Sequence, residues 1–184
     1  MPQITIVAEP NGAGKSTIAS YLLPNSDIHL NADEFAKELK APGNSSPDMA
    51  AGRHLLQRWN TLEQERADFA VETTFASNSY AQRLKRMKAV GYRFHLIFIW
   101  IPNSDIAVER VRERVMHGGH YIPEEVIRRR YVTGLRNFFS LYQPIANSWR
   151  FFDNSKRGLP SLIAKGSLNV QKEELWIRLQ TEWA

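Results

Sequence analysis

The segment at residues 10–17 constrains the fold of this chain more than any other part of its sequence. Its sequence is Pro-Asn-Gly-Ala-Gly-Lys-Ser-Thr, and it lies between a β-rich run at residues 4–7 and a helical pattern from about Lys15 to Leu23. Phosphate groups require several backbone N–H donors at the N-terminus of a helix, and glycines let the backbone approach closely. The order of strand, glycine-rich loop and helix therefore predicts a phosphate-binding loop.

Each residue of this loop has an expected role in binding ATP or GTP. The lysine is expected to reach the β- and γ-phosphates and to act in catalysis, and the serine hydroxyl is expected to bind Mg²⁺. The predicted nucleotide-binding residues of the loop are Asn11, Gly12, Ala13, Gly14, Lys15, Ser16 and Thr17. A glycine-rich turn that only caps a helix would leave Gly-Lys-Ser-Thr unexplained.

Glu9 departs from the usual loop pattern, which begins with glycine at this position. A carboxylate a few ångströms from a triphosphate would be repelled by roughly 3–4 kcal/mol at an effective dielectric constant near 20. The side chain must therefore point away into water or weaken nucleotide binding. Because the rest of the loop is intact, the first of these is expected.

The rest of the sequence alternates between strand and helix patterns. Further strands are predicted at residues 27–30, 69–71, 94–101 and 149–152, with a hairpin at residues 161–170 and a final helix from about Lys172. Such alternation predicts a mostly parallel sheet covered by helices on both faces. No linker or internal repeat is evident, so residues 1–184 are expected to form one domain.

Composition excludes several classes of function. The chain has no cysteine, which excludes disulfides and thiolate metal sites, and its apolar runs are shorter than the ~20 residues that span a bilayer. With no signal peptide at its start, the chain is expected in the cytosol. The net charge of +5 could indicate nucleic-acid binding, but many arginines lie in one segment, residues 110–136, and not across a face. This clustering favours phosphate groups as their ligands.

Several motifs occur in a fixed order along residues 3–155. After the loop come Asn-Ala-Asp-Glu at residues 31–34, Val-Glu-Thr-Thr at residues 71–74, Gly-Gly-His-Tyr-Ile-Pro-Glu-Glu at residues 118–125, Arg-Arg-Arg-Tyr at residues 128–131 and Asp-Asn-Ser at residues 153–155. In these motifs the chain resembles the zeta-toxin-like P-loop kinases, whose best-known members phosphorylate UDP-N-acetylglucosamine. The resemblance implies a three-layer α/β/α sandwich, with five parallel strands in the order 2-3-1-4-5. It also implies an arginine-rich helical lid at about residues 110–131.

The resemblance assigns roles to polar residues at the ends of two strands. Asp33 would activate the acceptor hydroxyl, although Asp33 or Asn31 could instead only cap a helix. An acidic residue such as Glu72 after an apolar strand could hold Mg²⁺ through water or bind a substrate hydroxyl, and the resemblance favours contacts of Glu72 and Thr73 with the acceptor. Helix capping is the structural alternative for both residues. These residues follow strands at the sheet edge where such folds bind ligands.

The lid arginines are expected to reach the phosphate being transferred. Arg114 and Arg129 are predicted to be catalytic, and Arg128 and His120 to bind substrate, although arginines on helices commonly pair with neighbouring glutamates. Asn154 lies in the Asp-Asn-Ser motif after the last parallel strand and is expected to contact the nucleotide base. The alternative is a plain turn without a binding role, which would have a similar sequence.

The sequence thus predicts a kinase that uses ATP or GTP and Mg²⁺ to phosphorylate a small hydroxyl substrate, such as UDP-N-acetylglucosamine or another nucleotide sugar. An antitoxin protein is a candidate partner, again by resemblance. Two alternatives remain: a kinase for a different small alcohol, and an NTP-binding or ATPase module that has no acceptor.

Overall fold

The computed structural model describes residues 1–14, 23, 28–38, 47–156, 158–166 and 169–184. Its strands are β1 (Gln3–Ala8), β2 (His29–Leu30), β3 (Phe69–Thr73), β4 (Arg93–Trp100), β5 (Ser148–Asp153), β6 (Ser161–Lys165) and β7 (Asn169–Val170). Its α-helices are α1 (Ala32–Glu38), α2 (Pro47–Gln64), α3 (Ser79–Ala89), α4 (Ser104–Met116), α5 (Glu124–Asn137) and α6 (Glu173–Trp183). A π-helix (Phe138–Tyr142) and a 3₁₀ turn (Gln143–Ile145) continue α5. Of the predicted helix after the loop, residues 15–22 lie outside the described residues.

The strands form one sheet in the order β2-β3-β1-β4-β5-β6-β7. The first five are parallel and have the predicted order, so the mostly parallel α/β architecture is confirmed. The predicted hairpin pairs antiparallel with the edge of β5 and extends the sheet from five strands to seven. Pairing with β6 removes β5 from the edge of the sheet, where its unpaired N–H and C=O groups would be exposed.

The register of the strands aligns their carboxyl ends. Ala8 at the end of β1 pairs with Thr73 of β3 and Phe98 of β4, and Trp100 of β4 pairs with Asp153 of β5. The turns that follow β1, β3 and β5 therefore meet at one edge of the sheet. This is the edge at which open α/β sheets bind their ligands.

Apolar side chains fill the layers on either side of β1 and β4, which are almost completely buried. Trp59, Trp100, Phe138 and Phe139 are all buried and belong to this core. Trp59 donates from its indole N–H to the sulfur of Met87 at 3.4 Å. These rings hold the helices against the sheet and leave polar residues to line its carboxyl edge.

Candidate active site

The described part of the phosphate loop has the backbone conformation that its glycines allow. Gly12 and Gly14 have φ angles of 82° and 112°, in a region that favours glycine. The Ala13 N–H donates to the carbonyl of Pro10 at 3.1 Å and closes a turn. A Cβ on Gly12 would lie 2.7 Å from the carbonyl oxygen of Ala107, so a side chain has no room there. Lys15, Ser16 and Thr17 lie outside the described residues.

The prediction that Glu9 points into water is wrong, because its side chain is buried, with 2% of the residue exposed. The Glu9 N–H donates to the carbonyl of Thr73 at 3.1 Å and thereby extends the β1–β3 ladder by one residue. Glu9 is therefore held as part of the sheet and not as part of an open loop. Its carboxylate lies inside the protein, at the base of the phosphate loop.

The turn after β5 is attached to the phosphate loop. The side-chain amide of Asn154 donates to the carbonyl of Ala13, and the Asn154 N–H donates to the carbonyl of Trp100 at 2.8 Å. From α4, the Arg110 guanidinium donates to the carbonyls of Asn154 and Ser155, each at 3.0 Å. Asn154 is buried, so in this structure its amide supports the loop.

A cleft of about 620 Å³ opens at the carboxyl edge of the sheet. The phosphate loop, the N-terminal part of α1, the segment after β3 and the α4–α5 hairpin all contribute to its walls. Its polar lining residues are Asn11, Asn31, Asp33, Glu72, Thr73, Thr74, Ser77, Tyr80, His120, Tyr121, Arg129 and Arg130. Many residues that the sequence singled out separately thus line one cavity.

Glu72 forms the centre of a hydrogen-bond network in this cleft. One carboxylate oxygen accepts from the Asn31 side-chain amide at 2.8 Å, and the other lies 2.9 Å from His29 Nε2. Asn31 Oδ1 in turn accepts from the Asp33 N–H at 2.9 Å, so Asn31 caps α1. Of the two residues considered as helix caps, Asn31 is therefore the one that caps α1. Asp33 is half-buried, lies in the first turn of α1 and lines the cleft.

Two consecutive arginines of α5 line the cleft. The Arg130 guanidinium lies 3.4 Å from Asn11 Oδ1 and so connects α5 to the phosphate loop. Arg129 is exposed and lies on the same wall. The sequence predicts that one of Arg128 to Arg130 reaches the phosphate, with Arg129 as the first choice, and the fold brings both Arg129 and Arg130 to the cleft.

Arg128 and Arg114, which the sequence also places near the phosphate, form hydrogen bonds to other groups of the protein in this structure. Arg128 does not line the cleft, because its guanidinium donates to Asp105 at 2.6 Å and to Glu124 at 2.8 Å. Consistent with these bonds, the Arg128 hydrogen bonds lower the pKa of Glu124. Arg114 donates to the carbonyl of His120 at 3.0 Å and thereby holds the turn between α4 and α5.

The segment after β3 forms a wall of the cleft, and sequence reasoning missed how it is held. Phe75 has a φ of 54°, which is strained for a side chain of this size. The Asn137 amide donates to the Phe75 carbonyl at 2.6 Å, and the Phe75 ring stacks on Tyr142 at 3.8 Å. The Tyr142 hydroxyl donates to the carbonyl of Ser77. The π-helix thus fixes the backbone behind the cleft.

Comparison with known proteins decides the family of this chain. Residues 1–154 match the zeta toxin family. The chain belongs to the zeta toxin family. A relative from Haemophilus influenzae, itself an uncharacterized protein, is 32% identical over 121 residues, which are 66% of this chain and 86% of the relative.

Solved structures show that this zeta toxin family member shares its fold with proteins of low sequence identity. A chain of the AvrRxo1-ORF1:AvrRxo1-ORF2 complex, solved with sulphate ions, gives a TM-score of 0.77 at 17% identity over 98% of this chain. This chain therefore spans about two thirds of the length of that structural relative, since the match covers 64% of it. The PezAT toxin–antitoxin system of Streptococcus pneumoniae gives a TM-score of 0.66 at 16% identity, over 100% of this chain and 78% of the other.

The residues of this zeta toxin family member fit a nucleotide. Gly12 and Gly14 have positive φ angles and no side chains, which lets the loop backbone approach a polyphosphate closely. Arg129 and Arg130 bring positive charge to the adjoining cleft. The cleft volume is also in the range of ligand pockets, about 300–1,000 Å³. Mg²⁺ usually keeps several water ligands and binds to one or two side chains and to phosphate oxygens, so a nucleotide site needs few protein ligands for it.

Among the residues that the structure describes, each helix is too short or too polar to span a lipid bilayer.

Proposed function

We propose that this chain transfers the γ-phosphate of ATP or GTP to a hydroxyl group of a small molecule. One observation carries this proposal: a single cleft contains the loop residue Asn11, the carboxylates of Asp33 and Glu72, and the guanidinium groups of Arg129 and Arg130. Phosphoryl transfer depends mainly on positioning and charge neutralisation, and these groups are suited to both.

The nucleotide would bind with its phosphates against the loop at residues 11–17. In this proposal Lys15 contacts the β- and γ-phosphates, and the Ser16 hydroxyl holds Mg²⁺. The metal ion, when bound, neutralises charge on the phosphate oxygens. Asn154 would not contact the nucleotide base. Its hydrogen bond to the carbonyl of Ala13 would instead hold the phosphate loop in position.

Asp33 would act as the general base. The acceptor oxygen forms a bond to the γ-phosphorus while the bridging bond to the β-phosphate oxygen breaks, and the hydroxyl proton passes to the Asp33 carboxylate. Glu72, Thr73 and His120 line the same cleft and would bind the acceptor. Arg129 and Arg130 would stabilise the negative charge that spreads over the transferred group.

A nucleotide sugar such as UDP-N-acetylglucosamine is the proposed acceptor. Membership of the zeta toxin family supports this choice, and so does a cleft of about 620 Å³ with many hydroxyl, amide and carboxylate groups in its walls. Hydrogen-bonding groups of this kind suit the hydroxyls of a sugar. We further propose that residues 1–184 act as one domain, in which about residues 110–131, within the α4–α5 hairpin, form the lid.

The decisive experiment incubates labelled ATP and Mg²⁺ with a panel of UDP-sugars. Wild type is compared with Lys15→Ala, with Asp33→Asn and with Glu34→Gln, a matched change at the exposed neighbour of Asp33 in α1. A labelled sugar should form with wild type and Glu34→Gln, and its formation should fall by at least about 100-fold with Asp33→Asn and Lys15→Ala.

Other outcomes would support the alternatives. Transfer to a simple alcohol but not to any UDP-sugar would keep the kinase and reject the nucleotide sugar. Release of free phosphate at a rate that sugars do not change would favour an ATPase module without an acceptor.

An antitoxin protein is the proposed partner, because PezAT is a toxin–antitoxin system with a similar fold. Co-expression with a candidate antitoxin should yield a stable complex and abolish label transfer. A candidate that neither binds nor inhibits would be rejected.

A further inference from the structure

The turn at Asp153–Ser155, here called the β5 turn, is held from two sides near the phosphate loop. Its Asn154 amide donates to the carbonyl of Ala13, and Arg110 donates to the carbonyls of Asn154 and Ser155. The Asp153 Oδ1 accepts from the Ser155 N–H at 2.8 Å and so closes the turn on itself. The conformation of the β5 turn thus sets the position of the amide that contacts the loop.

A lysine from the C-terminal segment holds this turn on a third side. Lys172 Nζ donates to Asp153 Oδ2 at 2.7 Å and to Ser161 Oγ at 2.9 Å. The Asp153 side chain is 13% exposed and the Lys172 side chain 38%, so water screens this ion pair only in part. Lys172 lies beyond residues 1–154, the part of the chain that matches the family.

The contact between Asn154 and Ala13 matters for phosphate binding because a trans peptide group is planar. The carbonyl of Ala13 and the N–H of Gly14 belong to one peptide group and point in opposite directions. A donor that holds this carbonyl therefore also fixes the direction of the Gly14 N–H. Gly14 has a φ of 112°, and glycine has more backbone freedom than other residues. Without the Asn154 donor, the Ala13–Gly14 peptide group could therefore rotate more freely, and a bound phosphate would lose an oriented N–H.

We infer that Lys172 is a positioning residue for the nucleotide, which acts by way of Asp153, Asn154 and Ala13. This inference rests on the nucleotide-binding part of the proposed function. The Lys172 ammonium donates to Asp153 and Ser161, neither of which lines the cleft, so its loss should weaken nucleotide affinity and leave the rate of transfer at saturating ATP unchanged. The expected loss of affinity is about fivefold, comparable to one net hydrogen bond between neutral groups.

The test measures the Kd for ATP and, separately, kcat at saturating ATP, in the full-length chain. The variants are Lys172→Met, Lys172→Arg, Asp153→Asn and the Lys172→Met/Asp153→Asn double variant. Lys165→Met is the control, because Lys165 is an exposed lysine of the adjacent strand β6. All measurements are made about 15 °C below the lowest unfolding midpoint, so that each variant is folded.

Lys172→Met and Asp153→Asn should each raise the Kd about fivefold with kcat within twofold of wild type, and the double variant should be no worse than either. Lys172→Arg should restore most of the affinity, and Lys165→Met should have no effect. Wild-type affinity in folded Lys172→Met would overturn the inference, as would equal losses with Lys165→Met. If wild type itself does not bind ATP, the proposed function fails, and this inference fails with it.

Discussion

Gly134 of α5 lies against the backbone of Thr74, in the wall of the cleft. A Cβ on Gly134 would be 2.5 Å from the carbonyl oxygen of Thr74, far inside van der Waals contact. Backbone atoms meet there on both sides, so neither side can yield by a change of rotamer. The approach of α5 to the segment after β3 thus depends on the absence of a side chain at position 134.

Gly134→Ala should therefore destabilise the protein, by about 1–3 kcal/mol, since it adds a methyl group to a filled space. It should also raise the KM for the acceptor, because the displaced Thr74 lines the cleft. Unfolding in urea and acceptor titrations at saturating ATP measure the two effects.

The matched control is Gly52→Ala in the interior of α2, where a Cβ would meet nothing within 4 Å. This change should stabilise the protein by about 0.5–1 kcal/mol, because glycine loses more conformational freedom in a helix than alanine does. Equal effects of the two substitutions would show that the contact with Thr74 does not constrain position 134.

The sequence predicted the parts of the site that depend on local pattern. Asp33 follows β2, and Glu72 and Thr73 are the last residues of the parallel strand β3. Residues at the carboxyl ends of parallel strands meet at the same edge of the sheet. The structure brings all three to one cleft. The sheet order of the first five strands, carried over by resemblance, is also confirmed.

The sequence could not predict features that depend on tertiary placement. Consecutive residues of an α-helix are about 100° apart, so the rotation of α5 decides which of Arg128, Arg129 and Arg130 faces the cleft. The Asn154 amide bonds to Ala13, 141 positions away in sequence, and no local pattern indicates that contact. The prediction that Glu9 points into water was wrong for a similar reason. The Glu9 backbone pairs with Thr73 of a distant strand, and local sequence does not indicate this pairing.

Arg130→Ala and Arg128→Ala should have very different effects on the reaction. Arg130 lines the cleft beside Asn11, so its loss should lower kcat/KM by about 10²-fold to 10³-fold, the range seen when a group that stabilises transition-state charge is removed. Arg128 pairs with Asp105 and Glu124 outside the cleft, and its loss should change kcat/KM by less than about threefold. Steady-state kinetics with both substrates varied would measure these changes. A large loss with Arg128→Ala would restore the role that the sequence suggested.

Glu72→Gln should impair acceptor binding more than nucleotide binding. The Glu72 carboxylate accepts from the Asn31 amide and lies 2.9 Å from His29 Nε2, and a glutamine would turn its NH₂ group toward one of these two groups. An unsatisfied buried donor costs about 1–3 kcal/mol, and the network that caps α1 beside Asp33 would loosen. We expect the acceptor KM to rise about tenfold while the Kd for ATP stays within twofold, as measured by kinetics and equilibrium binding.

Glu65→Gln, at an exposed position after α2, is the control for the loss of one negative charge. Glu65→Gln should leave the acceptor KM unchanged. If Glu72→Gln weakened ATP as much as the acceptor, Glu72 would belong to the nucleotide site instead.

The stability of the protein in acid should depend on the pair of Asp153 and Lys172. Burial raises the pKa of Asp153, but the hydrogen bonds from Lys172 and Ser155 together lower this pKa by more than burial raises it. The folded-state pKa of Asp153 therefore lies below its ordinary value. A carboxyl whose pKa is lower in the folded state stabilises the protein above its unfolded-state pKa, about 3.9 for aspartate. That stabilisation is lost as the pH falls through the folded-state pKa.

Lys172→Met should therefore be less stable than wild type at pH 7, by about 1 kcal/mol once solvent screening of the partly exposed pair is allowed for. The difference should shrink below about pH 4, where protonation of Asp153 weakens the pair in wild type as well. Unfolding in urea at several pH values from 7 to 3 measures this difference. The control is Asp153→Asn. In that background the free energy of unfolding should not change with Lys172→Met at any pH, because a carboxamide carries no charge for the ammonium group to stabilise. A difference between wild type and Lys172→Met that stayed constant down to pH 3 would mean that the lysine acts through Ser161 and not through the Asp153 carboxylate.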